Sequence, residues 1–249
     1  MRQFGLIGYP LSHSFSQGYF KDKFEAEKIM DAVYQNYPIP TIEGFQQLWQ
    51  SDADLIGLNV TIPYKKEVIP FLNHPSSVVK SIQACNCIRR YNNELYGYNT
   101  DVIGFEKSLL PFLKSHHHKA LILGTGGAAA AVAWVLQKLA IPYQFVSRNP
   151  NSEDIHYDAL TTATIATHTL IINTSPVGMY PYVEHAPKIH YDAITPQHHL
   201  FDLIYNPNET LFLSKGKAKG ASTQNGLEML HIQAAESWKF WNAPTPLAQ

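Results

Sequence analysis

Residues 121–139, LILGTGGAAAAVAWVLQKL, decide the fold. A short apolar run leads straight into Gly124, Gly126 and Ala129, and a helical run without breakers follows. Strand, glycine turn and helix in that order make the opening unit of a parallel α/β sheet that binds a dinucleotide. Gly124 permits the tight turn, Gly126 lets backbone approach a pyrophosphate, and Ala129 allows helix and sheet to pack closely. The helix N-terminus adds free N–H groups and the positive end of its dipole. The same glycines also suit a plain turn in an α/β core, so the flanking strand and helix carry the reading.

About 20 residues further on, where an NAD site places an acidic residue for the ribose 2′-hydroxyl, a second strand ends in FVSRNP. Ser147 and Arg148 stand there instead. A guanidinium suits the 2′-phosphate of NADP.

Working outward, strands are expected at 119–123, 143–147, 169–173 and 200–205, with Pro- and His-containing loops across 180–199. Upstream, 3–8 reads as a strand and Ser14–Lys28 as a helix, with Phe15, Tyr19, Phe20 and Phe24 on one face. Further strands are expected near 33–37, 55–60, 85–90 and 94–98. The last segment, LEMLHIQAAESWKFW, repeats Leu227, Leu230, Ala234, Trp238 and Trp241 at helical spacing. Alternating strands and helices give the α/β class.

At 249 residues the chain accommodates one domain or two, and 45% hydrophobic with 16% charged residues is the composition of a globular enzyme. A net charge of −1 lacks the basic footprint of a nucleic-acid or anionic-membrane binder. No apolar run approaches the ~18 residues of a membrane span. MRQFGLIGYP has no apolar core or cleavage site of a signal peptide, so none is expected. Cys85 and Cys87, two apart, point to opposite faces of a strand and read as reduced thiols of a cytoplasmic protein. His116–His118 precede a strand in a polar stretch and read as a solvated linker.

Three polar clusters fall at strand ends or helix starts. SHSFS holds Ser12, Ser14 and Ser16; NVTIPYKK holds Asn59, Thr61, Lys65 and Lys66; GYNTDVIGF holds Asn99, Thr100 and Asp101. Taken alone, Ser12, Ser14 and Asp101 are equally readable as helix caps.

Together the segments GYPLSHSFS, NVTIPYK, NTDVIGF, GTGGA, NTSPVGM, FDLIYNP and NGLEMLHIQAA closely resemble the shikimate dehydrogenase family, in the family's order and over nearly the whole chain. The resemblance implies an N-terminal α/β substrate domain with a mixed sheet (1–102 with 226–249), an NADP-binding Rossmann domain (103–225), and a cleft between them. It implies that Ser14 and Ser16 bind the substrate carboxylate. Asn59, Thr61, Lys65, Asn86, Asp101 and Gln233 then surround the ring hydroxyls, and Tyr205 joins the pocket. Gly124, Thr125, Gly126, Gly127, Ala128, Ser147 and Arg148 hold NADP, with Leu203, Gly226 and Met229 near the nicotinamide. The family usually has glycine at Gln83, threonine at Cys87 and a small residue at Glu228. After Arg148 it often has a threonine and a further basic residue, where this chain has NPNSED.

The chemistry agrees. Hydride transfer to a ketone needs a proton donor for the forming alkoxide, and Lys65 with Asp101 forms the acid–base pair. Ser, Thr, Asn and Gln suit a small polyhydroxylated acid such as shikimate or 3-dehydroshikimate. The expected protein is an NADP-dependent shikimate dehydrogenase, monomer or homodimer, with no metal, nucleic-acid or membrane partner. A quinate/shikimate enzyme that also uses NAD, and a non-catalytic shikimate sensor, are the competing readings.

Overall fold

The computed structural model describes residues 1–11 and 15–249, and two chain segments, 1–103 and 231–249, build its first unit. In chain order this unit contains β1 (Arg2–Gly8), α1 (Phe15–Ala26), β2 (Ala32–Pro38), α2 (Glu43–Ser51) and β3 (Leu55–Val60). Then come β4 (His74–Pro75), α3 (Ser77–Ile82), β5 (Cys87–Tyr91), β6 (Glu94–Tyr98) and the start of α4 (Thr100–Leu109). The sheet order is β2-β1-β3-β5-β6-β4. β1 runs parallel to β2 and β3, whereas β5 is antiparallel to β3 and β6, which makes the sheet mixed.

Period-two alternation sorts the side chains between two cores. Ile7, Leu58, Val60 and Ile88 join Phe45 and Trp49 in one, and Phe4, Leu6 and Cys87 join Phe20 and Phe24 in the other. Cys85 falls in the first core and Cys87 in the second, so the two free thiols face apart.

The second unit, 104–230, opens on the glycine stretch. It contains β7 (Ala120–Leu123), α5 (Gly127–Lys138), β8 (Tyr143–Ser147), β9 (Ile155–His156), α6 (Thr162–Thr167) and β10 (Leu170–Asn173). β11 (His199–Asp202), α7 (Leu211–Ala218) and β12 (Ser222–Gln224) complete its sheet. All its strands are parallel, in the order β12-β11-β10-β7-β8-β9. Counted from β7 this is the 3-2-1-4-5-6 order of a dinucleotide-binding fold. Fully buried Leu121, Leu123, Ile171 and Leu200 form its core with Ile165 and Phe212. Burying each such side chain stabilises by roughly 1.5–3 kcal/mol.

α8 (Leu227–Asn242) begins in this unit and gives its residues from His231 onward to the first. There Trp241 donates its indole N–H to the Ile88 carbonyl at 2.9 Å and lies over Gly57. A Cβ at Gly57 would stand 2.4 Å from that ring, so only glycine lets the helix sit this close.

Two strands are shorter than their apolar runs. β5 starts at Cys87, leaving Cys85 and Asn86 outside it, and β11 stops at Asp202, releasing 203–205 from the sheet. The histidine run also departs from a solvated linker. His117 is 5% exposed, and its Nδ1 accepts from the Lys114 N–H at 3.1 Å. Its ring lies 6.1 Å from that of buried His199, because long-range packing onto β11 covers a segment that is polar in sequence. Among the described residues there is no cluster that could hold a metal ion, and no helix long and apolar enough to cross a membrane.

Candidate active site

In the first unit the polar residues meet where β2 and β3 carry them beside α8 and the start of α4. Asn59 near the end of β3 donates to Ser237 at 2.8 Å and to the Asn86 carbonyl at 3.3 Å. Its Oδ1 accepts from the Tyr34 hydroxyl at 3.0 Å. The Ser16 side chain also bonds the Tyr34 phenol, whose ionisation burial pushes far above its ordinary range. Asn86, whose backbone bonds Val60 and Tyr98 on either side, donates its side-chain amide to Gln233 at 3.3 Å. Its own Oδ1 accepts from the Thr100 N–H at 2.6 Å and hydroxyl at 3.2 Å. Ser16, Asn59, Asn86 and Gln233 thus belong to one hydrogen-bonded region, and Thr61 follows at the exit of β3. Ser14 lies outside the described residues.

Lys65 and Asp101 meet here. The Lys65 Nζ donates to Asp101 Oδ2 at 2.6 Å, with side-chain exposures of 21% and 5%. Asp101 sits in the first turn of α4, where the helix dipole favours a carboxylate. Asn99 caps that helix, its Oδ1 accepting from the Val102 N–H at 3.3 Å. The chain around Lys65 is fixed from both sides: its carbonyl accepts from the Cys85 N–H at 2.7 Å. Buried Tyr64 before it donates its hydroxyl to the Ile39 carbonyl at 2.6 Å. Lys66 is exposed. Fixing the backbone at 64–65 aims one lysine inward and leaves its neighbour to solvent.

Two departures from the family pattern have local explanations. Gln83 ends α3 in the left-handed region, φ 54°, a conformation that favours glycine. Its amide donates to the Lys80 carbonyl at 2.6 Å. Cys87 is fully buried in the second core, and burial drives its thiol well above the ordinary range, so it carries no reactivity to the site.

The second unit holds the nucleotide features. Gly124 has φ +114°, and a Cβ there would lie 2.8 Å from Thr174 Oγ1. Gly126 caps α5 with extended backbone, and Cβ atoms added at Gly126 or Gly127 would meet nothing within 4 Å. The helix N-terminus is therefore open, with Thr125 exposed, Ala128 half-buried and Ala129 packed at 1% exposure. Ser147 is buried, accepting from the Asn149 N–H at 3.2 Å, and Arg148 is exposed beside it. An open helix N-terminus, a glycine turn and a cation at the end of β8 fit a phosphorylated dinucleotide.

Asn173 and Asp202, partners in register at the ends of β10 and β11, are fully buried. Asp202 accepts from Asn173 at 3.0 Å, from the Thr210 hydroxyl at 2.6 Å and from the Ile204 N–H at 3.1 Å. Burial still outweighs these donors and pushes its carboxyl up to about 6. The bonds to Thr210 and Ile204 shape the loop after β11, which carries Leu203 and Tyr205. Tyr205 is 38% exposed, and burial raises its phenol. Gly226 accepts no side chain, since a Cβ would lie 2.0 Å from the Leu203 carbonyl, and Met229 is buried in the first turn of α8. Asp202, Asn173 and Ser237 were not singled out as site residues from sequence, and Asn99 only as a polar residue at a helix start. NTSPVGM and FDLIYNP contain the first two, and the signal was their place at the C-terminal ends of parallel strands.

A dinucleotide fold in one unit and an amide-lined lysine–aspartate pair in the other define a dinucleotide-dependent oxidoreductase. Residues 6–88 match the family model described as the shikimate dehydrogenase substrate binding domain. Shikimate dehydrogenase (NADP(+)) of Caldicellulosiruptor saccharolyticus is 35% identical, covering 97% of this chain and 92% of its own. The crystal structure of shikimate dehydrogenase 1 from Peptoclostridium difficile is 36% identical, with TM-score 0.83 over 97% of this chain and 91% of that one. The Thermus thermophilus shikimate 5-dehydrogenase, solved in complex with NADP(H) and shikimate, is 27% identical with TM-score 0.87, covering 99% and 95%. The chain belongs to the shikimate dehydrogenase family.

Proposed function

We propose that this protein is an NADP-dependent shikimate dehydrogenase, interconverting 3-dehydroshikimate and shikimate in aromatic amino-acid biosynthesis. The observation that carries the reading is the 2.6 Å contact between Lys65 and Asp101 within a region of neutral hydrogen-bonding side chains.

NADPH, when bound, supplies the hydride; Gly124–Ala128, Ser147 and Arg148 would hold its phosphates, with Leu203, Gly226 and Met229 toward its nicotinamide. The chain's own residues handle the proton. Lys65 donates it to the oxygen that develops at the reduced carbon, and takes it back in the oxidation of shikimate. Asp101 holds the ammonium in place and balances its charge. Asn59, Thr61, Asn86, Gln233 and Tyr205 orient the ring hydroxyls, and Ser14 and Ser16 the carboxylate. Neutral donors bind an anionic substrate without a fixed counter-charge that would compete with Lys65 for Asp101. The enzyme acts in the cytoplasm, as monomer or homodimer; two free, buried cysteines accord with a reducing compartment.

The test is NADPH formation, followed by absorbance, when purified protein is given shikimate and NADP. Quinate and NAD serve as competing substrates. No shikimate-dependent NADPH overturns the reading, and faster turnover of quinate with NAD replaces it with the quinate enzyme.

A further inference from the structure

Residues 243–249, APTPLAQ, follow α8 as a strap that bends at 243–245 and joins no helix or strand. Pro244 and Pro246 fix φ at two of its positions and limit the conformations it can take. Arg89, only 5% exposed, anchors the strap by donating to the carbonyls of Ala243 at 2.6 Å and Thr245 at 3.1 Å. The far end is held by Gln249. Its carbonyl accepts from the Ser77 hydroxyl at 2.6 Å and the Ser77 N–H at 3.2 Å.

The Gln249 side chain does something more specific. Its Oε1 accepts from the Asn99 N–H at 2.9 Å and its Nε2 donates to the Asn99 carbonyl at 2.7 Å. One primary amide thereby pairs with both backbone groups of one residue, as a neighbouring strand would. Ser76 orients that amide by donating to Oε1 at 3.1 Å. Asn99 is fully buried, so without Gln249 its backbone groups lose their partner in a place that water reaches poorly. Asn99 is also the residue from which α4 departs: its side chain caps the helix and donates to the Ala84 carbonyl at 2.9 Å. Asp101 follows two residues later.

We propose that Gln249 is a positioning residue for the acid–base pair: it clamps the Asn99 backbone, fixes the start of α4, and so sets where Asp101 meets Lys65. The inference rests on the dehydrogenase reading of that pair. Proton transfer is sensitive to misplacement of about 1 Å, which costs up to 10²-fold in rate. Gln249 touches neither Lys65 nor Asp101 side chain, so its effect falls on the chemical step rather than on substrate affinity.

The experiment compares wild type with Gln249→Met, which keeps length and loses both amide hydrogen bonds, and with Gln249→Glu, which keeps the acceptor for Asn99 N–H and loses the donor. Ser77→Ala, which loosens the anchor alone, is the third variant. The expected result is a fall in kcat of about 5–20-fold for Gln249→Met, with KM for shikimate within about two-fold of wild type. The solvent deuterium isotope effect on kcat should rise as proton transfer becomes slower. Ser77→Ala should fall between that variant and wild type, and Gln249→Glu, which sets a carboxylate oxygen against the Asn99 carbonyl, should lose at least as much as Gln249→Met. An unchanged kcat and isotope effect overturns the inference. So does a variant in which kcat and KM shift together with the melting temperature, because that marks Gln249 as a structural latch only. A wild type without turnover overturns the dehydrogenase reading and the inference with it, whereas an active wild type confines any failure to Gln249.

Discussion

At the scale of single residues, the two adjacent lysines give the sharpest comparison. Both carry the same charge at consecutive positions, yet one is 21% exposed against a carboxylate and the other faces solvent. Lys65→Ala should lower kcat by about 10²–10⁴-fold, the usual cost of a lost acid–base group. Lys66→Ala should leave kcat within about two-fold, and steady-state kinetics of shikimate oxidation measures both; equal losses would reassign the catalytic lysine. Arg148 tests the cofactor in the same way. Its exposed guanidinium stands at the end of β8 where no acidic side chain replaces it, so Arg148→Ala should raise KM for NADP by at least about ten-fold and leave that for NAD nearly unchanged. Parallel changes for the two cofactors would remove the 2′-phosphate role.

At the scale of elements, the loop between β7 and α5 separates two uses of glycine. Gly124 is required by conformation, because φ +114° and the Thr174 hydroxyl both exclude a side chain. Gly126 is required by nothing inside the protein: its backbone is extended and an added Cβ meets open space. Gly124→Ala should therefore lower the melting temperature, with a cost of about 1–3 kcal/mol. Gly126→Ala should melt with the wild type yet bind NADP at least about ten-fold more weakly in calorimetry. Undiminished NADP affinity in the second variant would show that the open N-terminus of α5 is not a phosphate site. This loop was legible in sequence because its signal is local: strand, turn and helix lie within 19 consecutive residues. Lys65 was legible because the motif spacing from Asn59 distinguishes it from Lys66. Asn86 was less so, since period-two hydrophobicity runs through it, and its side-chain bonds to Gln233 and Thr100 depend on α8 and α4, which lie further along the chain. Gln249 carried no local signal at all. Its partner is Asn99, and a glutamine in a proline-rich tail has no periodicity from which that contact follows.

At the scale of the whole molecule, buried histidines link stability to pH. His199 is fully buried on β11, and burial holds its imidazole down to about 4, from an ordinary 6.5. Its Nδ1 lies 2.8 Å from the Ser222 hydroxyl, and Phe112 stacks on its ring. His117, Lys114 and Gln224 also act on it: the Lys114 charge, and His117 once it is protonated, disfavour its protonation further, and the bond to Gln224 favours it. Because the folded value lies below the unfolded one, the unfolded chain takes up the proton first as pH falls. Stability from this residue is whole above about 6.5 and declines toward 4, by about 2 kcal/mol between pH 7 and pH 5. His117 and His168 are lowered by burial too and act in the same direction. Asp202 opposes them: raised to about 6, its carboxyl gains a proton in the folded state first and adds stability as pH falls from 6 toward 3.8. His199→Leu should therefore flatten the acid side of a plot of melting temperature against pH, whatever its effect at neutrality. A slope unchanged from wild type would show that His199 is not proton-linked to folding. Sequence could not reveal this, since a histidine's burial depends on which strands cover it.

The division of the first unit into 1–103 and 231–249 also sets an order of events during synthesis. A chain made from its N-terminus normally completes its leading domain first. Here residues 104–230 are all available while the first unit still lacks Trp241 over Gly57, the carbonyls that satisfy Arg89, and Gln249 at Asn99. The first unit therefore cannot complete its packing until all of residues 104–230 have been made. Residues 231–249 thus close the unit that carries Lys65 and Asp101 from the far side of the other unit's sequence.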